Sequence, residues 1–175
     1  RKQDTKNVPT ISETVPKIDL GSRLREADAF SLSYQGVREI QSQKIQGDYA
    51  CIDFLPSADS APVSIDSVLD DPKINSQYIM MVFARMLLLL NKHDTARQNI
   101  FVSLPLLILN HRLLAASLQQ MAKIWQSIAP RCIFLLKARE LEQSDSGLLS
   151  LHQDGARFGL EWHESHQRRS GEYFV

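Results

Sequence analysis

The residues most able to do chemistry lie near the end of the chain, where His163, Glu164 and His166 form a His-Glu-x-His cluster. Imidazoles three residues apart meet on a helical turn and can share a metal ion. The same residues also suit a solvated polar segment after a strand, and the sequence favours that reading. His152 sits where a helix should end, a place that favours a cation for structural reasons alone. Arg85 is the single charge within Tyr78 to Leu90. A lone guanidinium there can hold a phosphate, but snorkelling or pairing with Asp70 or Asp71 is the simpler account. Cys51 and Cys132 lie far apart in apolar runs, without CxxC or CxxH spacing, so they read as buried thiols in a reducing, cytoplasmic setting. The chain contains no P-loop, no GxGxxG and no Ser-His-Asp order.

The elements that must carry these groups follow from hydrophobic period. The 175 residues are 43% apolar, with 20 basic and 20 acidic side chains, the make-up of one globular domain. Zero net charge and only short basic clusters, such as Arg168-Arg169, argue against nucleic-acid binding. Residues 1–19 show no apolar period and read as a linker or extended arm, with the domain in 20–175. An initial Arg suggests a chain cut from a longer one. A short helix is expected over Ser22–Ala29, capped by Ser22. Strands are expected at Phe30–Tyr34, Tyr49–Leu55, Ile100–Leu104, Cys132–Leu136 and Ala156–Trp162. A loop over 57–72 should hold one helical turn around Ile65–Leu69.

Tyr78–Leu90 is apolar at every position but Arg85, yet too short to span a bilayer, so it reads as a core helix. Pro105 opens the next helix, whose Leu107, Leu114, Leu118, Met121, Trp125 and Ile128 form one apolar stripe. A further helix over Ser146–Gln153 should stop at Gly155, and Tyr173-Phe174-Val175 can begin another strand. Alternating strands and helices from residue 78 onward predict an α/β fold with a mostly parallel sheet.

Four segments in register resemble one family. Phe30-Ser-Leu-Ser-Tyr-Gln-Gly-Val37 and Lys44-Ile-Gln-Gly-Asp-Tyr-Ala-Cys-Ile-Asp-Phe54 resemble the opening of EAL domains, bacterial cyclic di-GMP phosphodiesterases. In that family a strand ending Tyr-Gln-Pro-Ile leads into Gly-x-Glu-Ala-Leu-x-Arg. Phe101-Val-Ser-Leu-Pro105 falls on the family's Val-Asn-Leu-Ser, and Ile133-Phe-Leu-Leu-Lys-Ala-Arg139 on Leu-Val-Leu-Glu-Ile-Thr-Glu. Gly155-Ala-Arg-Phe-Gly-Leu-Glu-Trp162 falls on Gly-x-x-x-Ala-Leu-Asp-Asp. The resemblance spans residues 22–162 and implies a modified (β/α) barrel with an antiparallel first strand. Such a barrel typically needs about 250 residues, so an incomplete barrel is expected here, either a fragment or a sheet closed by the tail or a partner chain.

The resemblance also implies what is missing. Active members hold Mg or Mn on carboxylates and an Asn at the C-terminal strand ends, and a metal-bound water attacks the phosphodiester. Those positions fall here on Tyr49, Ser103, Leu136, Arg139, Glu161 and Trp162, and only Glu161 keeps a carboxylate. The expectation is therefore a degenerate EAL-like domain with no catalytic residues, no bound Mg or Mn and no phosphodiesterase activity, working as a regulatory domain through a protein partner or as a homodimer. The alternative is a cyclic di-GMP receptor that does not hydrolyse its ligand. Gln35, Ser103 and Glu161 are the ligand-binding candidates. Against the receptor reading, the signature Arg falls on Asp53, whose carboxylate repels a phosphate, and Gly36 replaces the usual proline.

Overall fold

Period-two alternation early in the chain produces a long antiparallel hairpin. In the computed structural model, which describes residues 19–92, 99–137, 151–153, 155–161 and 173–174, β1 (Phe30–Arg38) runs against β2 (Ile45–Phe54), from Phe30↔Phe54 to Arg38↔Ile45. Both strands extend into the stretch between them that reads as a turn region. The Gln- and Ser-rich connection closes tightly: Glu39 N donates to Lys44 O at 3.0 Å and Gln43 N to Glu39 O at 2.8 Å. Gln43 takes a φ of 56°, a left-handed value that non-glycine residues seldom adopt. Ahead of the hairpin, α1 (Leu20–Arg23) starts earlier and is shorter than the expected Ser22–Ala29 helix. Its cap is Asp19, which accepts from Gly21 N at 3.2 Å, while the Ser22 hydroxyl donates to Asp19 Oδ2 at 2.6 Å. Ser22 thus braces the cap and is not itself the cap. Of the expected arm, 1–19, residues 1–18 lie outside the described residues, and Asp19 belongs to the cap of α1.

A short β3 (Val63–Ser64) pairs antiparallel with the end of β2, and the one helical turn expected after it is α2 (Ile65–Leu69), capped by Ser64 Oγ accepting from Ser67 N at 3.2 Å. The apolar stretch becomes α3 (Ser76–Lys92). Asn75 Oδ1 accepts from Gln77 N and Tyr78 N, satisfying two of the open N–H groups at its start. Its buried residues include Ile79, Phe83, Met86 and Leu90, spaced three and four apart. Arg85 reaches neither Asp70 nor Asp71; its Nη2 donates to the Arg25 carbonyl.

After β4 (Ile100–Ser103) the expected single helix is three short ones: α4 (Leu106–Leu109), α5 (Leu114–Gln120) and α6 (Ala122–Ile128). The residues that must be buried here are Ile108, Leu109, Leu114, Leu118, Trp125 and Ile128, whose spacing drifts off one face of a straight helix. The chain breaks near Asn110 and again at Met121 to bring them in, and Leu107, the first member of the expected stripe, stays 47% exposed. β5 (Cys132–Lys137) and β6 (Arg157–Glu161) follow. Residues 151–153 are helical and Gly155 takes a φ of 88°, as the expected stop requires; the earlier part of that helix is outside the described residues. Finally β7 (Tyr173–Phe174) pairs parallel with Val37 and Arg38 of β1.

The sheet order is β6-β5-β4-β2-β1-β7, with β3 attached to β2. Strands β2, β4, β5 and β6 are parallel and β1 is antiparallel to β2, the first-strand reversal that the EAL resemblance implies. One face of the sheet carries Phe54, Ile100, Val102, Cys132, Phe134 and Leu136 into a core shared with α3, α5 and α6, where Trp125 stacks on Phe134 at 5.5 Å between ring centroids. The other face carries the smaller cluster of Val37, Tyr49 and Phe101, with Cys51, Ile133 and Leu135 against it.

Candidate functional site

Side chains alternate along each strand, so pairing partners in adjacent strands share a face and the second face can be read as rows. The lowest row is Gln35, Tyr49, Phe101, Ile133 and Arg157, each paired with the next. Two residues further along the parallel strands, about 7 Å, Ser103 pairs with Leu135 and Leu135 with Gly159. A further two residues on, Lys137 pairs with Glu161 at the C-terminal ends of β5 and β6. Gln35 and Ser103 thus share a face but occupy different rows, and Glu161 holds a register position in a third row. Gln35 and Glu161 are also four strand spacings apart, about 19 Å along the sheet. They do not form one cluster.

The register separates two motif positions. Leu136 is buried against the helices with 5% exposure, on the face opposite Ser103. The residue on Ser103's face at the strand end is Lys137. Arg139, Glu140, Trp162, His163, Glu164 and His166 are outside the described residues.

Lys137 has a partner that sequence reading missed. Its Nζ donates to Asp66 Oδ2 at 2.5 Å, with the two side chains 19% and 43% exposed. Asp66 comes from the first turn of α2, brought across by the β2–β3 pairing that anchors that helix. Nothing local in the sequence links positions 71 residues apart. The only signal was Lys137 itself, the one polar residue ending an apolar strand.

Beside this ion pair lies an open cleft of about 530 Å³ over the end of β4, which includes Asp66 and Asp70 on one side and Asn110, His111 and Arg112 on the other. Burial, with Arg112 adding to it, holds the His111 imidazole below its usual pKa. His111 Nδ1 accepts from Leu113 N at 3.2 Å, which fixes the ring at the start of α5. Among the described residues no three His, Cys, Asp or Glu side chains are grouped to hold a metal ion.

A dication needs oxygen donors of net negative charge. The rows offer a phenol at Tyr49, a hydroxyl at Ser103 and an ammonium at Lys137, and an ammonium repels a dication.

With that geometry in hand, the chain can be set beside known proteins. No family model matches it, and no curated protein does. Solved structures do. It is similar to the Pseudomonas aeruginosa FimX EAL domain bound to c-di-GMP, with a TM-score of 0.60 and 16% identity, covering 84% of this chain and 62% of that one. The Vibrio cholerae LapD S helix-GGDEF-EAL protein bound to c-di-GMP gives a TM-score of 0.57 at 14% identity, covering 76% and 34%. Bacillus subtilis YkuI, which has an EAL domain and is in complex with substrate c-di-GMP and calcium, gives 0.53 at 19%, covering 80% and 37%. The fold is EAL-like. The chain spans between about a third and three fifths of the length of these relatives. No helix among its described residues is long and apolar enough to cross a membrane.

Proposed function

We propose that this EAL-like domain does not hydrolyse cyclic di-GMP and serves as a regulatory domain in bacterial cyclic di-GMP signalling, acting in the cytoplasm through contacts with a protein partner or with a second copy of itself. The observation that carries this reading is the Lys137 ammonium, paired with Asp66, at the strand end that shares a face with Tyr49, Ser103 and the register position of Glu161. A fixed positive charge there discourages a divalent ion, and neither Tyr49 nor Ser103 offers a charge to offset it. The test is incubation of the purified chain with cyclic di-GMP and Mg or Mn, followed by chromatography of the nucleotides. Intact ligand is expected, with no saturable Mn binding by calorimetry, and appearance of the linear dinucleotide would end the proposal.

A second reading, a receptor that binds cyclic di-GMP without cleaving it, draws on the FimX and LapD structures, which are bound to that ligand. Gln35 lies on the same face as Ser103, but Asp53, at the position of the signature Arg, weighs against a phosphate contact. Calorimetric titration with cyclic di-GMP separates the two: binding heat lost in Gln35→Ala favours the receptor, and no heat leaves the partner-binding reading.

A further inference from the structure

Lys137 closes β5 at the C-terminal end of the parallel strands, the end at which α/β sheets and barrels bind their ligands. Its ammonium carries the charge and the donors that hold a phosphate oxygen. Among the described residues its ion-pair partner is Asp66, at 2.5 Å. The carboxylate is the more exposed member of the pair and also lines the cleft over the end of β4. It comes from the first turn of α2, a place that suits an anion, and the Ser64 cap and the β2–β3 pairing hold that turn in place.

We propose that Asp66 is a built-in competitor for Lys137: it occupies the ammonium that the phosphodiester of a bound cyclic dinucleotide takes, so binding requires this pair to open. A carboxylate and a phosphodiester are both singly charged acceptors for the same donor, and a direct contact with one keeps the other away. A partly exposed ion pair contributes little to stability, so it opens at small cost, and the apparent affinity falls by the fraction of time that Lys137 is free. The carboxylate left beside the phosphate then adds its own repulsion. Both effects weaken the ligand and neither abolishes it. Asp70 supplies the comparison, since it lines the same cleft with the same charge but is not paired with Lys137. The inference rests on the receptor reading, whose ligand is the one bound in the FimX and LapD structures, and adds the regulation of that site.

The test is calorimetric titration of the whole 175-residue chain with cyclic di-GMP in the absence of divalent ions, with melting by circular dichroism to confirm folding. Asp66→Asn keeps the shape of the side chain, removes its charge and should bind about tenfold more tightly than the unaltered chain. Asp70→Asn makes the same change in net charge and should gain no more than about twofold, because solvent screens a charge that touches neither group. Adding Lys137→Met to Asp66→Asn should remove the gain. Asp66→Ser serves in its place if Asp66→Asn does not fold. An Asp66→Asn chain that binds no more tightly than the unaltered one, a gain matched by Asp70→Asn, or a gain that survives the loss of Lys137 overturns the proposal. The receptor reading fails separately. Heat from the unaltered chain that Gln35→Ala removes, with no gain in Asp66→Asn, keeps the receptor and ends the competitor, whereas no heat from any of these chains ends both.

Discussion

The two faces of one sheet differ in what their residues are for. On the helix-covered face Phe134, Cys132, Val102 and Ile100 are essentially inaccessible and interlock with Trp125, Leu90 and Ile128. On the opposite face the apolar cluster is small, and toward the C-terminal strand ends it gives way to Ser103 and the Lys137–Asp66 pair. Adjacent residues of a single strand therefore serve different ends. Leu136 stabilises the fold, whereas Lys137 sets the charge of the site. The helix side is apolar throughout, while the other face mixes its small apolar cluster with Ser103 and the Lys137–Asp66 pair. The two faces answer to separate constraints.

The largest effect should come from deleting a ring on the helix side. Phe134→Ala is expected to cost about 3–5 kcal/mol and Leu136→Ala about 2–5 kcal/mol by urea denaturation. Ile133→Ala, half-buried on the other face, should cost clearly less. Equal losses for Phe134 and Ile133 would erase the distinction between the faces.

Alkaline pH should attack the same face next. Burial pushes the Cys132 thiol from its ordinary 9.0 up to about 11 and the Tyr34 phenol from 10.0 up to about 12. Each is raised in the folded state, so the folded chain holds these protons more tightly than the unfolded one. The stability they contribute is complete below pH 9 and falls as pH rises, by about 1.4 kcal/mol per pH unit for the buried Cys132 between 9 and 11, and by less for Tyr34 between 10 and 12, because water screens its partly exposed phenol. Urea midpoints at pH 8, 9, 10 and 11 measure the slope. Cys132→Ala should flatten it between 9 and 10, and a slope unchanged by that substitution would assign the loss elsewhere.

The smallest effect belongs to the site face. Lys137→Met should change stability by less than about 1 kcal/mol, because the pair with Asp66 is partly exposed and an ion pair of that kind contributes little. A cost comparable to that of Leu136→Ala would show that Lys137 is structural, and would weaken its reading as the group that sets the charge of the site.

Much of the fold was legible because hydrophobic period reports burial. The hairpin, α3 and the parallel strands all fall within a few residues of where alternation or apolar runs place them. The division of residues 106–128 into three helices was not legible, since near-helical spacing of leucines conceals the phase drift that forces breaks at Asn110 and Met121. The site was less readable than the fold. Cys132-Ile-Phe-Leu-Leu136 is apolar throughout, so nothing in it says which residues face Ser103. Only the Ser103↔Leu135 register shows that Lys137, not Leu136, stands at the strand end on that face. Asp66 reaches Lys137 through tertiary packing alone, beyond any local pattern.

Asn99, just before β4, has a consequence of its own. Its side-chain amide donates to Gln46 O at 3.0 Å and accepts from Arg157 Nη2 at 3.1 Å, while its backbone carbonyl accepts from Asp48 N at 3.0 Å. Gly47 has to be bare beside it, since a Cβ there would come within 2.4 Å of that carbonyl. One residue thus stitches the second, fourth and sixth strands together at the end of the sheet remote from Lys137. The stitch needs a group that gives and takes a hydrogen bond at once. Aspartate keeps the arginine and loses Gln46, leucine loses both, and a library of variants at this half-exposed position should tolerate far fewer replacements than its accessibility alone would suggest.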